Sequence, residues 1–188
     1  MVVGAKAAAY IFAYNDVTQK WEEVRKLTVT DTSDMQLSEW FGNYVAISQD
    51  TAVIGDTGAE FNSVAQGAAF VFSQDEGGVD NWGLVKVLTA EPVTEFGTSL
   101  DIDSDLITVS GNGTPTYIYQ RNKGGLNNWG EIAQLIPSNE ITGTDFGIGS
   151  GISGETVLVG ARHTDGKGAA YIYELDICCQ QYLPMIQK

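Results

Sequence analysis

The chain has 188 residues, with 24 Asp and Glu against 10 Lys and Arg, and so carries a formal net charge of −14. A field of that sign repels phosphate backbones and anionic lipid heads, which speaks against nucleic acid and membrane surfaces as partners and leaves a metal ion, a basic protein or plain solubility. The 22 glycines beside few charges favour short strands and tight turns over helices, in one large domain or two small ones.

No apolar run approaches the roughly 20 residues that span a bilayer. MVVGAKAAAYIF lacks the basic start, apolar core and cleavage site of a signal peptide and reads directly as strand. Val2-Val3-Gly4-Ala5, AAAYIF (7–12) and WEEVRKL (21–27) give three strands, and DTSDMQLSEW (31–40) gives a link able to hold a short turn. Phe41-Gly42 then introduces YVAIS (44–48), TAVIGD (51–56), GAAFVFS (67–73) and WGLVKVL (82–88). Phe96-Gly97 introduces SLDID (99–103), LITVSG (106–111), TPTYIYQ (114–120) and WGEIAQL (129–135). Phe146-Gly147 introduces GSGIS (149–153), TVLVGA (156–161), GAAYIYE (168–174) and a degraded YLPMIQK (182–188), with Tyr182 where Trp21, Trp82 and Trp129 stand.

The chain therefore divides into repeats at about 1–40, 41–95, 96–145 and 146–188. Four short strands per repeat, separated by Gly, Asn and Asp turns, predict an all-β chain of about four antiparallel blades, the first lacking its innermost strand. Radial repetition of such blades is a β-propeller. The strand after each Phe-Gly is rich in small residues (Ala46, Ser48; Ser99, Asp101; Gly149, Gly151, Ser153), as crowding near an axis requires. Each phenylalanine is expected to wedge between blades, each following glycine to allow close backbone approach, and Glu95 and Asp145 to accept hydrogen bonds from that turn. GGVDNWG (77–83) and GGLNNWG (124–130) recur as the corner between third and fourth strands, with Trp82 and Trp129 opening the outer strand and Trp21 in the same part.

Phe41-Gly42…Val53-Ile54-Gly55-Asp56…Gly67-Ala68-Ala69-Phe70-Val71-Phe72 and Phe146-Gly147…Val157-Leu158-Val159-Gly160-Ala161…Gly168-Ala169-Ala170-Tyr171-Ile172-Tyr173 resemble the FG-GAP repeat family, over essentially the whole chain. Such repeats form the propellers of integrin α-subunits and of many surface proteins. The resemblance implies an extracellular or cell-surface adhesion and recognition module, usually without catalysis or a cofactor. Integrin-like copies often carry a D-x-D-x-D-G calcium loop between the first two strands. Here those links are Gln49-Asp50, Ser104-Asp105 and Gly154-Glu155, two-residue hairpins too short to wrap a cation. Asp101, Asp103 and Asp105 alternate as D-x-D-x-D, but in a strand they lie in a line on one face, a weak calcium candidate beside channel-lining or hydrogen-bonding roles. The family's propellers typically close with seven blades. About four units then form an arc of a larger propeller, completed by further blades of a longer chain or by a second copy.

Catalytic sets are absent from the pattern. His163, the only histidine, falls in the polar loop ARHTDGKG, and one His with the adjacent Cys178 and Cys179 gives no zinc spacing. The glycine pairs lack the Lys-Ser/Thr of a phosphate loop. Ser73-Gln74-Asp75-Glu76-Gly77…Trp82 approaches the sialidase Asp-box with the wrong spacing, and Arg25, Arg121 and Arg162 are too few for a sialidase's arginine cluster. The links that vary share one rim: DTGAEFNSVAQ (56–66), SGNGTP (110–115) and ARHTDGK (161–167). Variable loops on a repeated scaffold are where recognition is placed, so Glu60, Phe61 and Asn62, with Phe61 exposed, and Arg162, His163 and Asp165 are the candidate contacts for a protein or glycan ligand.

Overall fold

The β-branched and aromatic runs fold as strands throughout. The computed structural model has 18 strands and no helix among the described residues, which are 1–30, 34–91, 93, 95–113, 115–137, 145–162, 167–177 and, by backbone, 181–185. The first sheet holds β1 (Val2–Ala5), β2 (Ala8–Asn15) and β3 (Lys20–Leu27), and β4 (Met35–Gln36) follows in the next link. The second sheet holds β5 (Tyr44–Ser48) and β6 (Thr51–Asp56), then, after the short hairpin of β7 (Glu60–Phe61) and β8 (Val64–Ala65), β9 (Ala68–Ser73) and β10 (Gly83–Leu88). The third runs β11 (Ser99–Asp103), β12 (Leu106–Ser110), β13 (Thr116–Gln120), β14 (Gly130–Leu135). The fourth runs β15 (Phe146–Ser153), β16 (Thr156–Ala161), β17 (Ala169–Asp176), β18 (Gln181–Met185).

All pairings within these sheets are antiparallel between neighbours in sequence, apart from the β7–β8 excursion between β6 and β9. This is the meander of propeller blades, and the first blade has three strands as the sequence implies. The segment 31–40 departs from expectation: β4 is a strand that pairs with β7, making a small sheet in the order β4-β7-β8. Links that leave the same rim can pair with each other, and Asn62 and Ser63, both at positive φ, close the β7–β8 hairpin as a tight two-residue turn. The outer strands also carry a repeated bulge. Val24, Val85 and Ile132, each three residues after its tryptophan, fall at a break in register.

Sheets pack face on face at three seams. Ala9, Ile11 and Leu27 of the first meet Phe41, Ile54, Phe70, Phe72 and Trp82. Val53, Val71 and Leu88 of the second meet Phe96, Val109, Tyr117, Tyr119 and Trp129. Leu106, Ile118 and Leu135 of the third meet Phe146, Val157, Val159, Tyr171 and Tyr173. Phe41, Phe96 and Phe146 are at most 3% exposed, and each stands edge-on to Phe70, Tyr117 or Tyr171 with centroids 5.4, 5.6 and 5.5 Å apart. The glycine after each is forced: Gly42, Gly97 and Gly147 lie at φ between 84° and 93°, and a β-carbon on Gly42 would sit 2.1 Å from the Ala8 carbonyl oxygen of the preceding sheet.

Two expectations about side chains fail. Trp82 and Trp129 are buried, but Trp21 is 53% exposed, because the face they occupy is covered by the preceding sheet and none among the described residues covers the first. Glu95 and Asp145 do not cap the Phe-Gly turn with carboxylates. Their backbone carbonyls accept from Thr98 N and Ile148 N instead, and the Asp145 carboxylate takes Arg162.

Candidate functional site

The variable rim is organised around the β4-β7-β8 sheet. At its base the Asp56 carboxylate, fully buried, accepts from Ser38 N at 2.8 Å, Gly58 N at 3.1 Å and the Ser38 hydroxyl, tying the link before β5 to the link after β6. Phe61 is half-buried rather than exposed, packed with Met35 and Leu37 onto the core between the first two sheets. Pairing with β4 turns its ring inward, a contact that sequence reading could not anticipate. Glu60 is likewise half-buried opposite Ala65, and exposed Asn62 is anchored by its N–H to the Asp34 carbonyl at 2.9 Å.

Arg162 belongs to the corresponding link of the fourth sheet. It is exposed and gripped by Asp145, with Nε donating at 2.8 Å and the terminal nitrogen 2.7 Å from the same oxygen. His163 and Asp165 lie outside the described residues, as do Cys178 and Cys179. Glu60, Phe61 and Asn62 belong to the second sheet's link and Arg162 to the fourth's, with the third sheet between them in chain order.

The aspartate triplet has three separate tasks. Asp101 Oδ2 accepts from Ile152 N at 3.0 Å while Oδ1 accepts from its neighbour Ile102 N at 2.9 Å. Asp103 Oδ2 accepts from Gly154 N at 2.7 Å, which with the Ser104 hydroxyl holds its pKa below the usual carboxylate value. Ser99 Oγ accepts from Ser150 N at 2.7 Å. Side chains at every second residue of β11 thus stand in for the carbonyls of a missing partner strand and fasten β11 to β15 at a constant offset. Asp105 points elsewhere, 3.1 Å from Arg121 Nε in an ionic contact without hydrogen-bond geometry. Among the described residues no group of three or more His, Cys, Asp or Glu is placed to hold a metal ion.

Arg121 is the polar pin of the second seam, and sequence reading passed over it. It donates to both oxygens of Asp50, at 3.1 and 2.7 Å, and to Thr51 Oγ1, while its guanidinium lies 5.1 Å over Trp129. Hydrogen bonding to Arg121 lowers the Asp50 pKa, and the same contact raises that of Arg121. On this opposite rim a shallow cleft of about 240 Å³ opens between the first two sheets, lined by Met1, Phe12, Val24, Gln49, Gln74, Asp80 and Trp82 among others.

No helix of the described residues is long and apolar enough to cross a membrane. A comparison with curated proteins finds no match. The family model described as FG-GAP repeat matches residues 21–72 and 129–173, more than half of the chain. Both matches begin at the tryptophan of an outer strand, Trp21 or Trp129, and run into the third strand of the following sheet, and the unmatched span between them folds into the same strands. These repeats build β-propeller-type modules that are typically ligand-binding, extracellular and non-enzymatic, and the chain belongs to the FG-GAP repeat family.

Proposed function

We propose that this protein is a non-catalytic recognition module of an extracellular or cell-surface setting, binding a protein ligand through the variable loops of one rim. The observation that carries the reading is the β4-β7-β8 sheet, an addition to the blade plan fixed from below by buried Asp56. It holds the backbone of Glu60 and Asn62 rigidly at the rim, so less ordering entropy is lost on binding. Arg162, with His163 and Asp165 beside it in sequence, supplies the charged part of the surface.

The test is a binding screen against purified extracellular proteins, followed by Glu60→Ala, Asn62→Ala and Arg162→Ala variants. A hit weakened by those substitutions supports the reading. Hits indifferent to replacement of both loops would leave only a structural repeat array.

A second reading draws on the cleft. Its wall sets the amides of Gln49 and Gln74 and the Asp80 carboxylate beside apolar Met1, Phe12 and Val24, the mix of polar groups and apolar surface that binds a sugar. A glycan array separates the two, since a carbohydrate hit must be lost on Gln74→Ala and not on Asn62→Ala.

A further inference from the structure

Three strand edges of the fold are guarded. β3, β10 and β14 are the outermost strands of the first three sheets, and each carries a bulge and charged side chains, among them Glu23, Arg25, Lys86 and Glu131. Bulges and charges on an edge keep a second strand from adding to it. β8 is an edge of the small β4-β7-β8 sheet and has neither. From Asn62 to Ala65 the chain holds no charge and no proline, and the register of β8 with β7 runs unbroken.

The hydrogen bonds around β7 show what that edge offers. Asn62 N–H turns to the β4 side, to the Asp34 carbonyl at 2.9 Å, so Phe61 turns its own N–H and C=O to Val64. Gln66 N–H turns back to the Ala59 carbonyl at 3.2 Å. Alternation then points the N–H and C=O of Ala65 away from β7, and no described residue meets them. Asn62, Ser63, Val64 and Ala65 are all exposed, Val64 at 59%, and the short side chain of Ala65 leaves room for a backbone at strand spacing, about 4.8 Å. Buried Asp56 and the pairing of β7 with β4 hold this edge in place before any partner arrives.

We propose that β8 is a docking edge for an extended segment of a partner protein, which adds to the small sheet as a further strand. The segment exchanges a pair of backbone hydrogen bonds with Ala65 and lays an apolar side chain against Val64. Strand-adding peptides take their affinity from the main chain and their specificity from alternate side chains in this way. Basic residues flanking the segment fit a chain whose net charge is −14. A single outward pair makes the contact short and reversible. The inference rests on the recognition role proposed for this rim and adds the form in which the ligand is held.

The probe is a displayed library of random linear peptides, selected on the whole chain. Enriched peptides are expected to share alternating apolar residues, to slow hydrogen exchange at the Ala65 amide, and to bind Ala65→Pro at least about 10-fold more weakly, the size of a lost backbone hydrogen bond. Ala65→Ser keeps the N–H and is expected to bind like the wild type. Proline at this position removes no hydrogen bond of the free protein, and an unchanged Tm confirms that the variant folds; exchange at Ala65 in the wild type decides the matter even where it does not. Enriched peptides that leave exchange at Ala65 unchanged, equal binding to Ala65→Pro and wild type, or a selection that enriches no peptide overturns the proposal. A protein ligand weakened by Glu60→Ala and Arg162→Ala but indifferent to Ala65→Pro overturns the added strand alone and leaves the rim's recognition role standing.

Discussion

Replacing Asp101 with Ala discriminates between a cation ligand and a strut between blades. The side chain accepts one hydrogen bond from Ile152 N at 3.0 Å, across the seam, and one from Ile102 N at 2.9 Å. A hydrogen bond to a charged group contributes about 1.5–3 kcal/mol, and half-burial of Asp101 places these two at the lower end. The combined loss is about 2–4 kcal/mol. For a chain of this size each kcal/mol moves Tm by about 2–4 °C, so Asp101→Ala is expected to melt about 4–16 °C lower. Asp101→Asn, which keeps one acceptor oxygen, should lose roughly half as much. Thermal melts followed by circular dichroism, with calcium and with chelator, provide the assay. The strut predicts the same loss in both media and a wild-type Tm indifferent to calcium. A wild-type Tm that rises with calcium, with the increment abolished by Asp101→Ala, would refute it.

Other substitutions test the seams in urea denaturation. The Tyr119 hydroxyl is buried without a partner, whereas that of Tyr173 donates to the Ile136 carbonyl at 2.7 Å; burial raises both phenol pKa values, that of Tyr173 to about 12. Tyr119→Phe should therefore be neutral or stabilising, while Tyr173→Phe should cost about 1 kcal/mol. Phe96→Ala, at a fully buried wedge, should cost about 3–5 kcal/mol, and a loss under about 1 kcal/mol would refute the wedge. The Asp50 pKa is depressed, chiefly by its hydrogen bonds to Arg121, so its stabilisation is complete above the unfolded value of about 3.9 and fades as pH falls through the lower folded value. The stability gap between wild type and Arg121→Met should accordingly be present at neutral pH and shrink below about pH 4.

Apolar periodicity and turn residues made most of the fold legible. Phe41, Phe96 and Phe146 recur because every seam needs the same wedge, and the two-residue hairpins at 49–50, 104–105 and 154–155 follow from strand spacing alone. The tertiary overrides were hidden. β4 exists only because β7 lies beside it, and that pairing draws Phe61 inward. Trp21 matches Trp82 in sequence and differs in burial because exposure depends on a neighbouring sheet, which local pattern does not encode. Asp101 and Asp103 advertised themselves as acidic, but the groups that donate to them are backbone amides of β15 and of the turn after it, which any residue but proline supplies. Arg121 gave no signal, since its partner Asp50 lies on another blade, far away in sequence.

The seams share their apolar parts, and the first two share a cation-to-asparagine contact, Arg25 to Asn81 and Lys86 to Asn128, but their other polar contacts differ. Hydrophobic contact is non-directional, so Phe wedges and valines alone would let one sheet slide or rotate on the next at little cost. Direction comes from polar groups with fixed geometry. At the first seam glycine meets carbonyl, Gly4 against Gly42, and Arg25 donates to Asn81 Oδ1 at 2.7 Å. At the second, Arg121 forks onto Asp50 and meets Asp105. At the third, Ser99, Asp101 and Asp103 engage β15 and the turn after it at three successive steps, a ladder that tolerates no slip of register. Because these devices are interchangeable, sequence can vary within them while the angle between blades holds. A fixed angle is what a rim of unrelated loops requires to present one surface, so under the proposed recognition role the polar residues that look most like a site would act indirectly, by holding the loops of neighbouring blades in place.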